Sequence, residues 1–318
     1  MDHISKKRQL QGIISHQLTP LIQSDYVLYG LPYYKNVGDT LIWNGELEFL
    51  KSIGHKCVGV CGWSSYPGEK LPKETTVLIT GGGYFGDVWR DGWEFALKGI
   101  KHLKDNPIII MPASIWYESE ELMNKDAEYL AQFKKLTICA RDQKSYDIAV
   151  RNFGNPVILV PDMAFYMKER TLKKWQRIKP SKQVLYFKRD DKEFASSGVV
   201  IPEKDYDEHD WITMETELPE EEHFFKMLWH AQAFKKYSAA WSEKLVDWVY
   251  KYNFRKFVTK HGALQLADYH KIYTTRLHAM ILGFLIGREI IIIDNSYGKL
   301  SSCFDTWLSD CDSIRYLQ

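Results

Sequence analysis

Residues 271–288 read KIYTTRLHAMILGFLIGR and predict a strand that leads into a helix. The run 272–274 is rich in residues that favour strands. After it, apolar side chains recur three and four residues apart, at Leu277, Met280, Ile281, Phe284 and Leu285. That spacing predicts an amphipathic helix whose apolar stripe packs on a core.

Arg276 and His278 fall in the first turn of this predicted helix. A helix start offers free backbone N–H groups and the positive end of the helix dipole. A guanidinium and an imidazole at that place make an anion pocket with a proton carrier attached. The alternative is an Arg and a His that only decorate the start of a helix.

The rest of the chain alternates short apolar runs with helix-like segments, which predicts an α/β fold with parallel sheets covered on both faces. A first α/β unit spans residues 1–167, a basic connector spans 168–182, and a second unit spans 183–318. In the second unit we expect strands at 257–260, 272–274 and 289–293. Residues 190–225 are rich in acids and predict an irregular surface insertion, with solvation as the ordinary role of its charge.

Composition excludes several classes of protein. The chain has 318 residues, with 42 Lys and Arg against 41 Asp and Glu, so no bulk charge favours nucleic acid or membranes. Its five cysteines are an odd number without zinc spacing, which indicates free thiols in a reducing compartment. No signal peptide and no run of roughly 18 apolar residues is evident, so we expect a cytoplasmic protein. No cluster of metal-ligating residues is evident either, so we expect no obligatory metal.

Polar loops follow the predicted strands of the first unit, where ligands of open α/β sheets bind. Asn36 and Asp39 precede a helix, and Asp39 either caps that helix or faces the crevice. Gly82 and Gly83 belong to a glycine loop that either approaches a phosphate or sugar closely or simply makes a tight turn.

Further polar residues end strands in both units: Ser114, Arg141, Asp162, Lys188, Arg189, Asn295 and Lys299. Arg141 and Asp162 either contact a ligand or pair with each other. Lys188 and Arg189 suit an anionic ligand, although an exposed charge run is equally ordinary. The cations concentrate in the second unit, which predicts an anionic ligand there. The first unit is richer in Asn and aromatic residues and suits a polyhydroxylated partner.

Seven segments, in order, resemble the motifs of bacterial polysaccharide pyruvyl transferases. They are NVGDTLIWNGELEFL (36–50), GGGYFGDVW (81–89), MPASIW (111–116), ARDQKSYDIA (140–149), PDMAF (161–165), TTRLHAMILGFLIGRE (274–289) and DNSYGKLSS (294–302). The resemblance runs over nearly the whole chain. It implies two Rossmann-like domains facing a cleft, as in GT-B glycosyltransferases. It also implies phosphoenolpyruvate as donor and co-substrate, no cofactor, a saccharide acceptor and a pyruvate ketal as product.

The resemblance also assigns site residues. Arg276, Leu277 and His278 match an Arg-Leu-His element at the donor site, and Arg189 matches another donor-binding arginine, with Lys188, Asn295 and Lys299 expected nearby. Asn36, Asp39, Gly82, Gly83, Ser114, Arg141 and Asp162 fall on the acceptor side or in the cleft. One departure is clear: Ala113 and Trp116 stand where the family often has Gln and His.

Ketal chemistry needs a proton at C3 of the donor, and His278 is the hypothesised acid, because imidazole can be protonated near neutral pH. Asp39 or Asp162 would take the proton of the acceptor hydroxyl. The acceptor is a polysaccharide or its lipid-linked precursor, and a lipid-linked one would require peripheral membrane contact at the inner face, for which the first helix and residues 168–182 are candidates.

Two other hypotheses remain open. One is a GT-B glycosyltransferase that uses a nucleotide sugar, and the other is a non-catalytic sugar-binding homologue. Nothing in the sequence indicates the oligomeric state.

Overall fold

The computed structural model describes residues 1–62, 71–191, 193, 200–212, 221–294 and 296–317. The described chain is an α/β protein with two separate sheets, and every strand pair in both sheets is parallel. The predicted fold class, with two parallel sheets of the Rossmann type, is therefore confirmed. The predicted boundaries of the two units remain a prediction.

The first sheet contains seven described strands: β1 Tyr26–Tyr29, β2 Cys57–Cys61, β3 Thr76–Ile79, β4 Gly82–Gly86, β5 Ile108–Trp116, β6 Leu136–Ala140 and β7 Val157–Leu159. Their order is β2-β1-β3-β5-β6-β7, and β4 pairs with β5 just beyond β3. The direction in which the chain adds strands therefore reverses between β1 and β3. Such a reversal opens a crevice at the carboxyl ends of the strands.

The second sheet repeats this arrangement. Its strands are β8 Lys182–Phe187, β9 Asp207–His209, β10 Tyr269–Thr274, β11 Glu289–Ile292 and β12 Ile314–Tyr316. The order β9-β8-β10-β11-β12 places a second reversal between β8 and β10. The residues that follow β8 are Lys188 and Arg189, and those that follow β10 lead to Arg276. Both cations therefore leave the second sheet at its crevice.

The helices cover both sheets. They are α1 His3–Leu18, α2 Val37–Leu50, α3 Arg90–Ile100, α4 Glu120–Leu130, α5 Gln143–Asn152, α6 Glu169–Gln176, α7 Glu221–Ala233, α8 Ala239–Val249, α9 Arg255–Ala267, α10 Leu277–Leu285 and α11 Lys299–Trp307. A π-helical turn, Tyr250–Phe254, joins α8 to α9. The predicted amphipathic helix at 277–285 is present as α10, and its apolar residues are buried.

One hydrophobic cluster connects the two sheets. It contains Leu28 of β1, Leu41 of α2, Ile272 of β10 and Met280 of α10, all nearly inaccessible to water. Helix α10 contacts α2 as well as its own strands. Burial of this shared apolar surface holds the two carboxyl-end crevices toward each other.

Three local predictions are wrong. Residues 257–260 lie in helix α9 and not in a strand, because Val258, Ala263 and Leu266 all reach the core on one helical face. The glycine loop continues as strand β4, which pairs with β5. The acid-rich stretch 190–225 is not wholly irregular, since Asp207–His209 forms the edge strand β9 and α7 begins at Glu221.

Candidate active site

The amino-terminal ends of α2 and α10 meet at the centre of the site. Helix α2 is capped by Asn36, whose side-chain oxygen accepts the backbone N–H of Asp39 at 3.1 Å. Asn36, and not Asp39, is thus the cap, and Asp39 lies in the first turn. Arg276 occupies the cap position of α10. Two positive helix ends at one place favour an anion between them.

Gly38 of α2 and His278 of α10 are in direct contact. A Cβ atom placed on Gly38 would lie 2.3 Å from Nδ1 of His278, well inside any real contact distance. Glycine at position 38 therefore makes room for the imidazole. This contact joins the first α/β unit to the second at the side chain of His278.

The other ring nitrogen of His278 is held by Asp162. Its Nε2 lies 3.3 Å from Oδ2 of Asp162, which also accepts Nη1 of Arg141 at 2.8 Å. The second oxygen of Asp162 accepts the backbone N–H of Ala164. Burial alone would raise the pKa of Asp162, but His278 and Arg141 together hold that pKa well below its usual range. Because Asp162 is then an acceptor only, Nε2 of His278 must be the donor.

Arg141 presents a donor without a partner. Its side chain is 1% exposed, and its Nε and Nη1 atoms bind Ser114 and Asp162. Among the described residues its Nη2 has no hydrogen-bond acceptor. A buried unpaired donor costs about 1–3 kcal/mol, so Nη2 of Arg141 is a candidate contact for an anionic ligand.

Lys299 and Gly83 stand beside this donor. A Cβ placed on Gly83 would lie 2.5 Å from Nζ of Lys299 and 3.5 Å from Nη2 of Arg141. The missing side chain therefore leaves a small cradle into which a lysine and an arginine point. Burial lowers the pKa of Lys299 to about 8, against the opposing effect of nearby Glu193. An anion in the cradle would stabilise the protonated lysine.

Arg189 and Arg276 are already paired with carboxylates. Arg276 Nε donates to Asp210 at 2.7 Å and its Nη1 to Asp191 at 2.9 Å. Arg189 binds the other oxygen of Asp191 at 2.8 Å and Glu193 at 2.7 Å. Their ion pairs therefore fix these two donor-binding candidates in position. The same carboxylates partly neutralise the positive charge of the two guanidinium groups.

Glu193 is the hub of this network. Besides Arg189 it accepts the indole N–H of Trp89 at 2.8 Å and the hydroxyl of Tyr297 at 2.7 Å, and it lies 3.5 Å from Nζ of Lys299. Burial would raise its pKa, but Lys299 and Arg189 hold that pKa well below its usual range. Trp89 belongs to the first unit, so this carboxylate also ties the two sides of the cleft.

A carboxyl group inside the first unit supports the glycine segment. Glu46 of α2 is fully buried and accepts the hydroxyl of Thr80 at 2.7 Å and the N–H of Gly81 at 2.9 Å. Burial raises the pKa of Glu46 to about 8. Asp39 lies nearby at the cleft surface, where the hydroxyl of Tyr34 donates to it at 2.8 Å.

These groups open onto a cleft of about 760 Å³ between the two units. The first unit contributes aromatic side chains to its wall, and three of them are exposed: Tyr34, Trp89 and Phe95. Exposed aromatic faces are typical of surfaces that stack on apolar faces of ligands. The high aromatic content thus serves both the core and the cleft.

The structure brings most predicted site residues together. Those that line the cleft are Asn36, Asp39, Gly83, Arg189, Arg276, Leu277, His278 and Lys299. Gly82 begins β4 next to Asp39. Arg141, Asp162 and Ser114 form the layer behind the cleft and pair with one another, as one of the two alternatives for Arg141 and Asp162 predicted.

One predicted residue, Lys188, is not part of this assembly. Lys188 leaves β8 away from the cleft, and its Nζ lies 3.4 Å from Glu208 on the edge strand. Asn295 lies outside the described residues. Sequence reasoning missed Asp191, Glu193 and Asp210; only their position beside the 188–190 charge run could have drawn attention to the first two.

Trp116 stands where the family often has a histidine. Its ring stacks on Tyr297 at 5.2 Å between centroids, and Lys144 lies 4.8 Å from it. Since Tyr297 donates to Glu193, Trp116 supports the hub of the charge network. In this chain that position therefore braces the site.

The five cysteines are unpaired thiols. Within the part of the chain that the structure describes, no three His, Cys, Asp or Glu side chains are arranged to hold a metal ion. None of the described helices is both long enough and apolar enough to cross a membrane.

Comparison with known proteins gives consistent results. A sequence model of the polysaccharide pyruvyl transferase family matches residues 36–297. The Bacillus subtilis protein EpsO, which carries a provisional pyruvyl transferase name, is 29% identical over 99% of this chain and 94% of its own. Pyruvyl transferase 1 of Schizosaccharomyces pombe is 26% identical over 89% of this chain and 70% of its own.

A second Bacillus subtilis relative, general stress protein 30, is 26% identical over 99% of this chain and 88% of its own. Among solved structures, an uncharacterised Klebsiella pneumoniae protein superposes with a TM-score of 0.63 at 18% identity, over 97% of this chain and 98% of that one. That likeness shows the fold alone.

Proposed function

Because the chain belongs to the polysaccharide pyruvyl transferase family, we propose that it transfers pyruvate from phosphoenolpyruvate to two hydroxyls of a saccharide, with release of phosphate. The observation that carries this proposal is the cradle of Arg141, Lys299 and Gly83 beside the His278–Asp162 pair. The cradle holds an unpaired buried donor and a lysine, and it adjoins an imidazole bound to a carboxylate.

The donor fits the cations of the cleft. Phosphoenolpyruvate carries a phosphate and a carboxylate, which are the groups that guanidinium and ammonium donors bind best. Nη2 of Arg141 and Nζ of Lys299 would hold one anionic group in the cradle. Arg189 and Arg276, oriented by their carboxylate partners, would bind the other at the start of α10.

His278 is the proposed general acid. Asp162 accepts its Nε2–H and stabilises the protonated ring, so Nδ1 beside Gly38 is the nitrogen left to carry a proton toward the cleft. Asp162 itself is fully buried and paired, which removes it from the two candidates for the base. Asp39, half-buried at the cleft wall, is the proposed acceptor of the hydroxyl proton.

The first sugar oxygen bonds to C2 of the donor while C3 takes the proton of His278 and Asp39 takes the hydroxyl proton, which gives a tetrahedral phosphoketal. The C2–O bond to phosphate then breaks, and phosphate leaves with the bonding electrons. The second hydroxyl attacks C2, gives its proton to the now neutral His278 and closes the ketal. The donors of the cleft would stabilise the leaving phosphate.

The acceptor would lie against Tyr34, Trp89 and Phe95, whose exposed faces suit the apolar face of a sugar ring. We propose a saccharide of a polysaccharide or of its lipid-linked precursor, handled at the cytoplasmic side of the membrane.

Thermal protection tests the donor. Phosphoenolpyruvate should raise the midpoint of unfolding of the wild type, and it should protect Lys299→Met much less, since binding to the native state stabilises by mass action. UDP-glucose should not protect either protein. Protection by UDP-glucose without protection by phosphoenolpyruvate would favour a nucleotide-sugar glycosyltransferase instead. Good protection by phosphoenolpyruvate without phosphate release on any saccharide would favour the non-catalytic homologue.

A further inference from the structure

Helices α7 and α8 form a hairpin with an unusual tip. The tip, residues 234–241, reads FKKYSAAW and connects the two helices. Its Tyr237 is 74% exposed and Trp241 63% exposed, and Phe234 is exposed as well. Trp229, in the last turns of α7, adds another ring that is 65% exposed. Large aromatic side chains this accessible and this close in sequence mark an interaction surface.

A second Phe-Lys-Lys sequence in the chain shows that the local sequence alone does not cause the exposure of Phe234. Residues 133–135 also read FKK, but Phe133 is buried in the core of the first sheet. Phe234 has no such core to enter, because the hairpin buries only Phe224, Ala231, Ser242 and Val249 among its apolar and small residues. The tip therefore projects its rings into solvent.

Positive charge accompanies these rings. The excess is confined to the tip: residues 234–244 contain three lysines against one acid, Glu243, whereas the whole hairpin, residues 221–249, contains four lysines and four acids. Asp247 is already engaged, since it accepts the hydroxyl of Tyr33. Lys236 lies 4.9 Å from the ring of Tyr237, and Lys244 lies 5.4 Å from the ring of Trp241. Tyr and Trp with neighbouring lysines are typical of surfaces that sit at the headgroup level of a membrane with anionic lipids.

A second basic patch lies beyond the hairpin. Lys251 and Tyr252, in the π-helical turn after α8, line a second cleft of about 910 Å³ whose lining is largely apolar. Its basic lining residues are Lys51, Lys168, Lys174, Lys251, Arg255, Lys256 and Lys260. Among the described lining residues, Glu48 is the only one with a carboxylate, and it pairs with Lys51. This cleft is therefore a second basic patch, at the opposite end of α8 from the tip.

The hairpin also starts at the proposed active site. Glu221, the first residue of α7, pairs at 2.7 Å with Lys35, which lines the catalytic cleft next to Asn36. Helix α7 has 13 residues. At the rise of an α-helix its tip then lies about 20 Å from the cleft.

We propose that the α7–α8 hairpin docks the protein on a membrane that contains anionic lipids, with Tyr237 and Trp241 at the headgroup level. The segments expected from the sequence to do so lack comparable exposed anchors, because α1 buries Leu10, Ile14 and Leu18 and α6 buries Leu172 and Trp175, so that α6 offers only charge. Docking would bring the cleft near the membrane, which would suit a lipid-linked acceptor if the proposed function holds. The docking itself does not depend on that function.

Vesicle co-sedimentation of the full chain, without substrates, tests the inference. At physiological salt the wild type should bind vesicles that contain phosphatidylglycerol and should not bind vesicles of phosphatidylcholine. The double variants Tyr237→Ala/Trp241→Ala and Lys235→Glu/Lys236→Glu should each lower the vesicle partition coefficient about tenfold or more. The matched control is Lys134→Glu/Lys135→Glu, which changes the two lysines of the other Phe-Lys-Lys sequence, where the Phe is buried. This control should bind as the wild type does.

Equal binding by the wild type and both hairpin variants would overturn the proposal, and so would an absence of binding to phosphatidylglycerol vesicles. Light scattering in solution tests whether a second copy of the chain occupies this face instead. A wild-type dimer that Trp241→Ala converts to monomers, together with no vesicle binding, would assign the tip to contact between two copies. Because these readouts need no turnover, their failure is distinct from failure of pyruvyl transfer.

Discussion

His278 Nε2 and Asp162 Oδ2 lie 3.3 Å apart although the two residues belong to different sheets. Asp162 follows β7 of the first sheet, and His278 lies in the first turn of α10 behind β10 of the second. The pair therefore forms only when the two sheets are assembled. Arg141 completes the contact from the first sheet and keeps Asp162 ionised. A buried carboxylate that accepts one N–H of an imidazole fixes the orientation of the ring, and Asp162 does so for His278.

Asp162→Asn should lower kcat with little change in KM for phosphoenolpyruvate. The amide keeps the shape but no longer supplies the charge that stabilises a protonated His278, and we expect a loss of about 10²–10³ in kcat. The variant also leaves Arg141 without its ion partner, which should cost about 3–5 kcal/mol in the free energy of unfolding. Steady-state kinetics below the unfolding range measure the first effect, and denaturant titration measures the second. A rise in KM at constant kcat would place Asp162 in donor binding instead.

Gly38→Ala should displace His278. The added methyl group would lie 2.3 Å from Nδ1, so the ring or helix α2 has to move. Since shifts near 1 Å at a reacting group cost about 10²-fold in rate, we expect a comparable fall in kcat. Gly12→Ala is the matched control, because nothing lies within 4 Å of its added Cβ. That helical substitution should retain activity and stabilise by about 0.5–1 kcal/mol. Full activity of Gly38→Ala would show that the ring position does not matter.

Donor affinity should depend on pH through Lys299. Burial lowers the pKa of this lysine to about 8, so it is protonated below that value and increasingly neutral above it. Only the protonated form attracts an anion, and affinity for phosphoenolpyruvate should therefore be full near pH 7. Above pH 8 it should fall by up to about tenfold per pH unit. Calorimetric titration with phosphoenolpyruvate, at pH values from about 6.5 to about 9.5, measures this change in affinity.

The control for this pH dependence is Lys299→Arg. A guanidinium stays protonated throughout the range, so the variant should lose the alkaline fall in affinity even if its affinity at neutral pH is lower. An unchanged alkaline fall in Lys299→Arg would assign the titration to another group.

Glu46 should make the fold more stable in mild acid than in mild base. Burial raises its pKa to about 8, whereas the same glutamate in an unfolded chain has its ordinary pKa of 4.5. Between these values the unfolded state binds fewer protons, so stability falls as pH rises, by at most about 1.4 kcal/mol per pH unit. Glu46→Gln removes the titration, and denaturant titrations of both proteins from pH 5 to pH 9, about the span of the effect, should diverge as pH rises. Parallel curves would contradict this role of Glu46.

Much of the architecture could be predicted from local patterns. The strand and helix around residues 272–285 follow from β-prone residues and helical spacing, and Arg276 with His278 at the helix start was visible in the same stretch. Parallel sheets follow from apolar strands that alternate with helices. The convergence of polar loops follows from the rule that carboxyl ends of parallel strands share one edge.

Other features depend on contacts that no local pattern encodes. Asp210 lies 66 residues before its partner Arg276, on a segment predicted to be irregular surface. Residues 257–260 contain β-prone side chains, yet the core contacts of α9 override that preference. Gly82–Gly86 forms a strand because the neighbouring β5 supplies its hydrogen-bond partners. The role of Gly38 depends on a tertiary contact, because His278 of the other unit packs against it.

Phosphate release by His278→Ala tests the central claim most directly. The assay supplies phosphoenolpyruvate together with saccharides extracted from cells that lack the protein, and it compares the variant with His270→Ala, which changes an exposed histidine on β10. We predict that His278→Ala lowers kcat by about 10²–10⁴ with little change in KM for phosphoenolpyruvate, while His270→Ala behaves as the wild type. Wild-type phosphate release by His278→Ala would contradict the account.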